Sequence, residues 1–433
     1  MKRLFPTYTY GSGPRTNCWW DETIASPDWP VLQGDLNTDV AIVGGGYTGL
    51  SAALHLAEAG IRVAVLEAET PGWGASGRNG GFCCLGGSKL SQAAMVRQFG
   101  EGAAQSYAQA EKDAVHLVAD LLSGHAIDAD VHSAGETQLA HTPRAMDSLR
   151  KQAEASGTLH EASDLPALGF GGGFHGAYTN PVGFALNPRK YLFGIAGAAR
   201  SLGADLFRNS AVHRLRKTQS GFELGTKNGR VTARNVLICT NGYSSEDVPP
   251  WMSGRYMPAQ STVLVTRPLT EPELHAQGWT TDQMAYDTRH LLHYFRLMPD
   301  RRFLFGMRGG LHSSPRAEGA IRQKAVRDFR RMFPAWADVE VTHMWSGMVC
   351  LSRGLTPFVG EVPGQLGLFA GFAYHGNGVA MGTYSGRALA RLVLGQADDL
   401  PDPMTRIPAR FPLGRWRRAL MPPAYAMMAV LDW

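Results

Sequence analysis

The chain has 433 residues and a formal net charge of +5, a length that exceeds one compact core, so two domains are expected. The charge is mild and no long Lys/Arg run occurs, which argues against a nucleic-acid partner. No run of about 18 uncharged apolar residues occurs, so no membrane span is expected. The 51 glycines are roughly 12% of residues against about 7% on average, as repeated ligand-cradling turns require. The five cysteines are odd in number and lack C-x-x-C spacing. Lys2, Arg3, Leu4 and Phe5 lead into Pro6 rather than an apolar signal region, so a cytoplasmic, reducing setting is expected.

Residues 40–43 form a short apolar run, as a parallel strand buried on both faces should. Gly44, Gly46 and Gly49 follow in G-x-G-x-x-G spacing. Gly44 permits the tight turn, Gly46 lets a pyrophosphate approach the backbone, and Gly49 lets the next helix lie close on the strand. That helix is expected over about residues 47–59. Its first turn, with Tyr47 and Thr48, offers free N–H groups and partial positive charge to a diphosphate. Gly60 stands where a left-handed cap belongs. A second strand ends at Glu67, beside Ala68, about 20 residues past the glycines, where a carboxylate accepts hydrogen bonds from a ribose diol. Strand, helix, second strand and acid in register indicate a dinucleotide site.

Gly74, Ala75, Ser76, Arg78, Asn79, Gly80 and Gly81 make a second glycine-rich stretch just past Glu67. A nicotinamide site has no evident need for it. A flavin does, because its ribityl chain and ring system run on past the first helix. The block resembles the G-A-S-x-R-N-G-G element of the FAD-dependent oxidoreductases of the D-amino-acid oxidase and sarcosine oxidase superfamily. It is most similar to the γ-glutamylputrescine oxidase branch. The resemblance implies an α/β fold with a Rossmann-like FAD-binding domain of the glutathione-reductase type and a discontinuous antiparallel-sheet substrate domain. The FAD-binding domain would take residues 36–90, 185–245 and 345–400. The substrate domain would take 91–184 and 246–344, leaving 1–35 as an N-terminal extension and 401–433 as a C-terminal tail.

Further along the chain, helical periodicity covers residues 104–123. The glycine-rich segment 169–176 is a candidate lid or site wall. Asn187 caps a helix over residues 188–202, with Gly203 past its end. Asn228-Gly229 signals a hairpin between residues 222–224 and 231–233. Strand-like alternation marks residues 255–266 and 290–306, and a helix is expected over 316–333. The resemblance extends to residues 236–243, 293–306, 345–360 and 371–380. It implies FAD contacts at Val212, at Thr240, Asn241 and Gly242, and at Gly376, Asn377, Gly378 and Val379 of the late glycine turn.

The implied reaction is oxidation of an amine or amino acid, with hydride transfer from the carbon next to nitrogen to flavin N5. The imine product then hydrolyses to an aldehyde or keto acid plus amine. An amino-acid substrate calls for a cation on its carboxylate, and Arg308, Arg296 and Arg353 are candidates. Each has a plain alternative as a structural or solvated arginine. Tyr294, Tyr374 and His375 are candidate wall residues, with a core or hinge role as the alternative. Cys350 falls where monomeric sarcosine oxidases carry a thioether to the flavin, yet non-covalent FAD is expected. Cys83 and Cys84 are expected to pack under the flavin ring rather than form a strained vicinal disulfide. Residues 290–310 lack the lysine that sarcosine-oxidase-like enzymes use with oxygen. A dehydrogenase passing electrons to a quinone or carrier protein is therefore an alternative to an oxidase. A non-catalytic FAD-binding interaction module is a second alternative. No metal site is expected, since His290 and His293 read as pointing to opposite faces of a strand. Arg415, Arg417 and Arg418 precede an apolar tail. It is expected to dock on the protein's own surface or a second subunit rather than on a membrane.

Overall fold

The apolar run at residues 40–43 ends strand Gly34–Val43, which lies inside an eight-stranded sheet in the computed structural model. The structure describes residues 1–153, 157–396 and 399–432; Trp433 of the tail lies outside them. Val63–Leu66 and Gly229–Ile238 flank this strand in parallel. Asp205–Phe207 and Leu368–Phe372 extend the parallel set outward, and Phe358–Glu361 closes one edge antiparallel. Val40, Ala41 and Ile42 are fully buried, because helices cover one face and a β-ribbon the other. The helices are Tyr47–Glu58, Glu101–Gly124, Pro188–Ser201 and Ala380–Val393. The ribbon is Arg214–Thr218 with Gly221–Gly225.

Local signals explain these boundaries. Gly60 takes φ +74° after the first helix, and the Asn187 side chain accepts from the N–H groups of Arg189 and Lys190. The Asn228-Gly229 hairpin forms with Phe222 opposite Ala233 and Leu224 opposite Val231. Its glycine serves a different purpose from the one the turn suggests. A Cβ on Gly229 would collide with the Gly34 carbonyl of the neighbouring parallel strand.

A second eight-stranded sheet runs in the order Val341–Leu351, Met257–Pro268, Arg302–Arg308, His293–Leu297, Met284–Asp287, Glu136–Leu139, Gly176–Asn180, Thr158–Glu161. Only the pair Met284–Asp287 with Glu136–Leu139 is parallel. Phe295, Phe303 and Phe305 point from one face into an aromatic cluster with Trp279, Phe333 and Trp336, covered by helix Pro315–Met332. Strand alternation then turns Tyr294 and Arg308 to the opposite face. Gly306 makes room there, since a Cβ would collide with the Tyr294 ring.

Two expectations are revised. Segment 169–176 is no site wall: Phe170 packs edge-on against Trp279 with centroids 5.3 Å apart. Gly171 sits so close to the Gln277 carbonyl that no Cβ fits. His290 precedes the strand that begins at His293 and binds Asp432 instead. Among the described residues no group of His, Cys, Asp or Glu is arranged to hold a metal.

The tail is held on the protein itself on either side of its apolar helix Met421–Leu431, which buries no residue. Arg417 is fully buried, pairs with Glu246 at 2.6 Å and donates to the Tyr256 carbonyl. Arg418 lies over the Phe5 ring. Asp432 accepts from the backbone N–H groups of His290 and Leu291. No helix among the described residues is long and apolar enough to cross a membrane.

Candidate functional site

A cavity of about 360 Å³ is lined by residues of both sheets. At one end stand the elements of the first motif. Gly44 adopts φ +108°, and a Cβ there would sit 2.8 Å from the Cys239 carbonyl. Gly49 does not line the cavity. It allows the helix to press on its own strand, where a Cβ would collide with Gly44 O. Glu67 is held in advance: Oε2 accepts from Gly45 N–H at 2.9 Å and Oε1 from Glu69 N–H at 3.0 Å. Burial pushes its carboxyl upward in pKa, against those two bonds. Each oxygen keeps a further lone pair for an incoming hydroxyl. Ala68 and Val212 complete this wall.

The second glycine stretch folds onto the first. Tyr47 N–H donates to Ser76 Oγ at 3.0 Å, and a Cβ on Gly46 would come within 2.9 Å of the same oxygen. Asn79 ties residues 75–81 together, donating to the Ala75 and Ser76 carbonyls and accepting from Gly81 N–H. Buried Arg78 donates to the carbonyls of Trp73 and Ser346, bridging this loop to the second sheet. Gly80 lies on the Tyr294 ring, 2.6 Å from where its Cβ would be. Gly81, at φ +74°, packs on the Leu186 carbonyl outside the cavity lining. Gly74, Ala75, Ser76, Arg78, Asn79 and Gly80 do line it. Thr240 and Asn241 line it too, whereas Gly242 lies behind them against Val349 O.

The late turn is a strained segment. Ala373, His375 and Gly376 take φ of +70°, +51° and +114°. Two of these are non-glycine residues in the sparsely populated left-handed region, held there by their surroundings. Tyr374 OH shares a 2.8 Å hydrogen bond with Thr48 Oγ1. Asn241 Oδ1 accepts from Ala373 N–H, and Asn377 Nδ2 donates to the Leu85 carbonyl at 2.7 Å. Tyr374, His375, Gly376, Asn377, Gly378 and Val379 all line the cavity, at the N-terminus of helix Ala380–Val393.

His375 acts here as a strut. Its Nδ1–H donates to the Gly87 carbonyl at 2.8 Å and its Nε2 accepts from Ser352 N–H at 3.1 Å. Burial, followed by the charges of Lys89 and Arg308, holds its pKa down to about 4. The ring is neutral at pH 7 and both nitrogens are engaged.

The arginine candidates separate cleanly. Arg308 lines the cavity and has no hydrogen bond or ion pair among the described residues. Its guanidinium lies 3.6 Å from where a Cβ on Gly376 would stand. Arg296 shares a strand face with Tyr294 but lies farther along, behind Gly81. It is fully buried, donates to the Leu186 carbonyl and sits 3.0 Å from His132 Nε2, away from the cavity. Arg353 is an exposed residue that donates to the Arg410 carbonyl. Tyr294 lines the cavity, edge-on to Phe82, with its hydroxyl 3.2 Å from Ser261 Oγ.

Cys84 and Cys350 face the cavity and Cys83 does not; all are free thiols. Burial pushes the Cys350 thiol up to about 12, far from the thiolate range. Three contributions escaped the sequence reading. Lys89 opens onto the cavity while protein surrounds it, and desolvation holds its ammonium down to about 8. Glu136 lines the same end. Met1, Arg3 and Tyr10 of the N-terminal segment also form part of the wall. Lys89 follows directly on the glycine-rich region, which was the available signal; nothing around Glu136 or Tyr10 marks them in sequence.

The cradle fits FAD. Backbone without Cβ atoms, a fixed carboxylate, two helix N-termini and a long cavity continuous with the second sheet match a dinucleotide bearing a ring system. Comparison with known proteins agrees. The family model described as "DAO: FAD dependent oxidoreductase" matches residues 39–392. A probable oxidoreductase OrdL of Rhizobium meliloti (strain 1021) is 31% identical over 96% of this chain and 97% of its own length. The gamma-glutamylputrescine oxidoreductase of Escherichia coli (strain K12) is 30% identical over 90% of this chain and 91% of its own. The crystal structure of glycine oxidase from Geobacillus kaustophilus superposes with a TM-score of 0.70 at 22% identity, covering 83% of this chain and 95% of that one, a likeness of fold.

Proposed function

Because the chain belongs to the DAO family of FAD-dependent oxidoreductases, we propose that it oxidises an amine or amino acid at the carbon bearing nitrogen. The product is an imine that hydrolyses to an aldehyde or keto acid plus amine. Bound FAD supplies the acceptor for the hydride equivalent. The protein's part is to hold, orient and shield. Residues 36–90, 185–245 and 345–400 carry the FAD cradle. Segments 91–184 and 246–344 bring Glu136, Tyr294 and Arg308 to the other end of the cavity.

The observation that carries this reading is the unpaired Arg308 guanidinium beside the late glycine turn, on the wall of the cavity that fits FAD. Its planar fork suits a carboxylate. Tyr294 and Phe82 supply an aromatic wall, which orients the ligand and excludes water. Tyr374 and His375 hold the turn from behind. The relative named gamma-glutamylputrescine oxidoreductase supports an amine-bearing substrate. An anaerobic screen of the yellow holoenzyme against polyamines, N-methyl amino acids and D-amino acids tests the reading. Bleaching by one class identifies it, and no bleaching by any favours a binding-only flavoprotein.

Oxygen is the proposed electron acceptor. Lys89 brings to the cavity the ammonium that residues 290–310 lack, and a cation stabilises negative charge arising on oxygen. Lys89→Met should slow aerobic turnover while leaving anaerobic bleaching intact. Absence of aerobic turnover in the parent, with turnover on an added quinone, favours the dehydrogenase reading. FAD is proposed to bind without a covalent bond, so acid precipitation should leave all the yellow colour in the supernatant.

A further inference from the structure

The end of the cavity near Lys89 holds a charged group that the proposed roles leave idle. Glu136 begins strand Glu136–Leu139 in the second sheet and is 8% exposed. It lines the cavity and makes no ion pair among the described residues. Its side-chain partner there is the Cys84 thiol, a weak donor. A buried carboxylate without a cation is costly, and a glutamine would fill the same space more cheaply. Cations stand close by without reaching it. Lys89 acts on it through space, and Arg308 acts on Lys89 in turn. Glu111, from helix Glu101–Gly124, Tyr286, from strand Met284–Asp287, and the buried Cys83 thiol are the other titratable groups within range. One end of the cavity therefore presents one acid and two bases that make no ion pair with one another among the described residues. Such a wall is complete only when a ligand brings both signs of charge.

We propose that Glu136 is the carboxylate that receives the cationic nitrogen of the ligand, while Arg308 receives its acid group. The inference rests on the amine-oxidation reading and narrows it. The ligand of this end is a zwitterion, and a simple amine lacking an acid group satisfies half the site. Burial, the largest influence, raises the Glu136 carboxyl to about 7. The carboxylate form grows as pH rises past that value, so affinity for a cation grows with it.

Two probes separate the charges: propylammonium, which carries only the cation, and propionate, which carries only the anion. Each is titrated into the FAD-loaded protein from pH 6 to 8, following the flavin absorption band and the melting temperature. Propylammonium should bind about tenfold more tightly at pH 8 than at pH 6, as a site titrating near 7 dictates. Glu136→Gln should weaken it at pH 8 by about tenfold or more and flatten the profile. Propionate should bind the variant as well as the parent, or better. A flat propylammonium profile in the unsubstituted protein overturns the proposal without recourse to any variant. So does a Glu136→Gln protein with full FAD content and undiminished affinity. Should no amine or amino acid bleach the flavin while these titrations behave as stated, the oxidation reading falls and the Glu136 subsite stands. Bleaching with unaltered titrations reverses that outcome.

Discussion

Glu67 is fixed before any ligand arrives, with both oxygens already on backbone N–H groups. That advance positioning lowers the ordering cost of binding a ribose diol. Glu67→Ala should weaken FAD binding by about 1–3 kcal/mol, the cost of leaving buried hydroxyls unpaired, as measured by FAD titration of the apoprotein. Unchanged affinity would show that the ribose lies elsewhere. Arg308→Lys should raise KM for a carboxylate-bearing substrate with a smaller change in kcat, because the charge stays while the planar fork is lost. Steady-state kinetics, checked by an intact flavin spectrum, decide it. Gly44, Gly46 and Glu67 were legible in sequence because their geometry is local. Two strands, one turn and one helix, contiguous in the chain, fix all three. Lys89 and Glu136 were not legible. Each sits in a segment of its own, and only tertiary packing brings them beside Arg308. Chain position points to residues 290–310 for a lysine, whereas the cavity draws on whichever loop reaches it.

At the scale of elements, close backbone approach decides which substitutions the fold tolerates. Gly49→Ala would drive a methyl into the Gly44 carbonyl and push the helix N-terminus off its strand. Loss of FAD retention on gel filtration should exceed the loss of helical circular dichroism. The tail, expected from sequence to dock on protein rather than on a membrane, is held by Arg417, which is buried, while Arg415 stays exposed. Arg417→Ala leaves Glu246 without its cation. Breaking a buried pair in this way costs about 3–5 kcal/mol, which a thermal melt would register, and binding to anionic liposomes should not change. The strands and helices were largely legible because alternation and capping are short-range signals. Segment 169–176 misled because glycine richness reports backbone freedom without saying what the backbone must avoid. Here it avoids the Gln277 carbonyl.

The molecule as a whole carries a buried charge network on the aromatic face of the second sheet. Asp287 and Asp328 lie 2.7 and 3.4 Å from the His293 ring nitrogens. Burial opposes the charged ring, but the two carboxylates outweigh it and raise the His293 pKa. Burial opposes the carboxylates too, yet both are held below their usual range by His293 and its basic neighbours. A raised histidine contributes stability that is fully present below about pH 6.5, the ordinary value, and is lost as pH rises through its folded pKa. The depressed carboxylates contribute stability present above about pH 4 and lost on further acidification. Thermal stability should therefore decline as pH rises past about 6.5, and His293→Gln should remove that slope. A slope that survives the substitution would place its origin elsewhere. The order of the second sheet was beyond the sequence, since its neighbours are chosen by packing across long stretches of chain.

Asp35 and Arg230, paired across the central strands, are 195 positions apart in sequence. Strand Gly34–Val43 thus waits for Gly229–Ile238 before the heart of its sheet exists. Each doubling of such a loop adds only about 0.6 kcal/mol to the closure cost, so the native state tolerates the arrangement. Time does not, because non-local parallel pairing is slow. After dilution from denaturant, the unit of residues 34–67 should gain hydrogen-exchange protection early and residues 229–238 late. The edge left open between those events is where association of half-formed chains would begin. Refolding yield should accordingly fall with protein concentration and recover when FAD is present to draw the two halves of the sheet together.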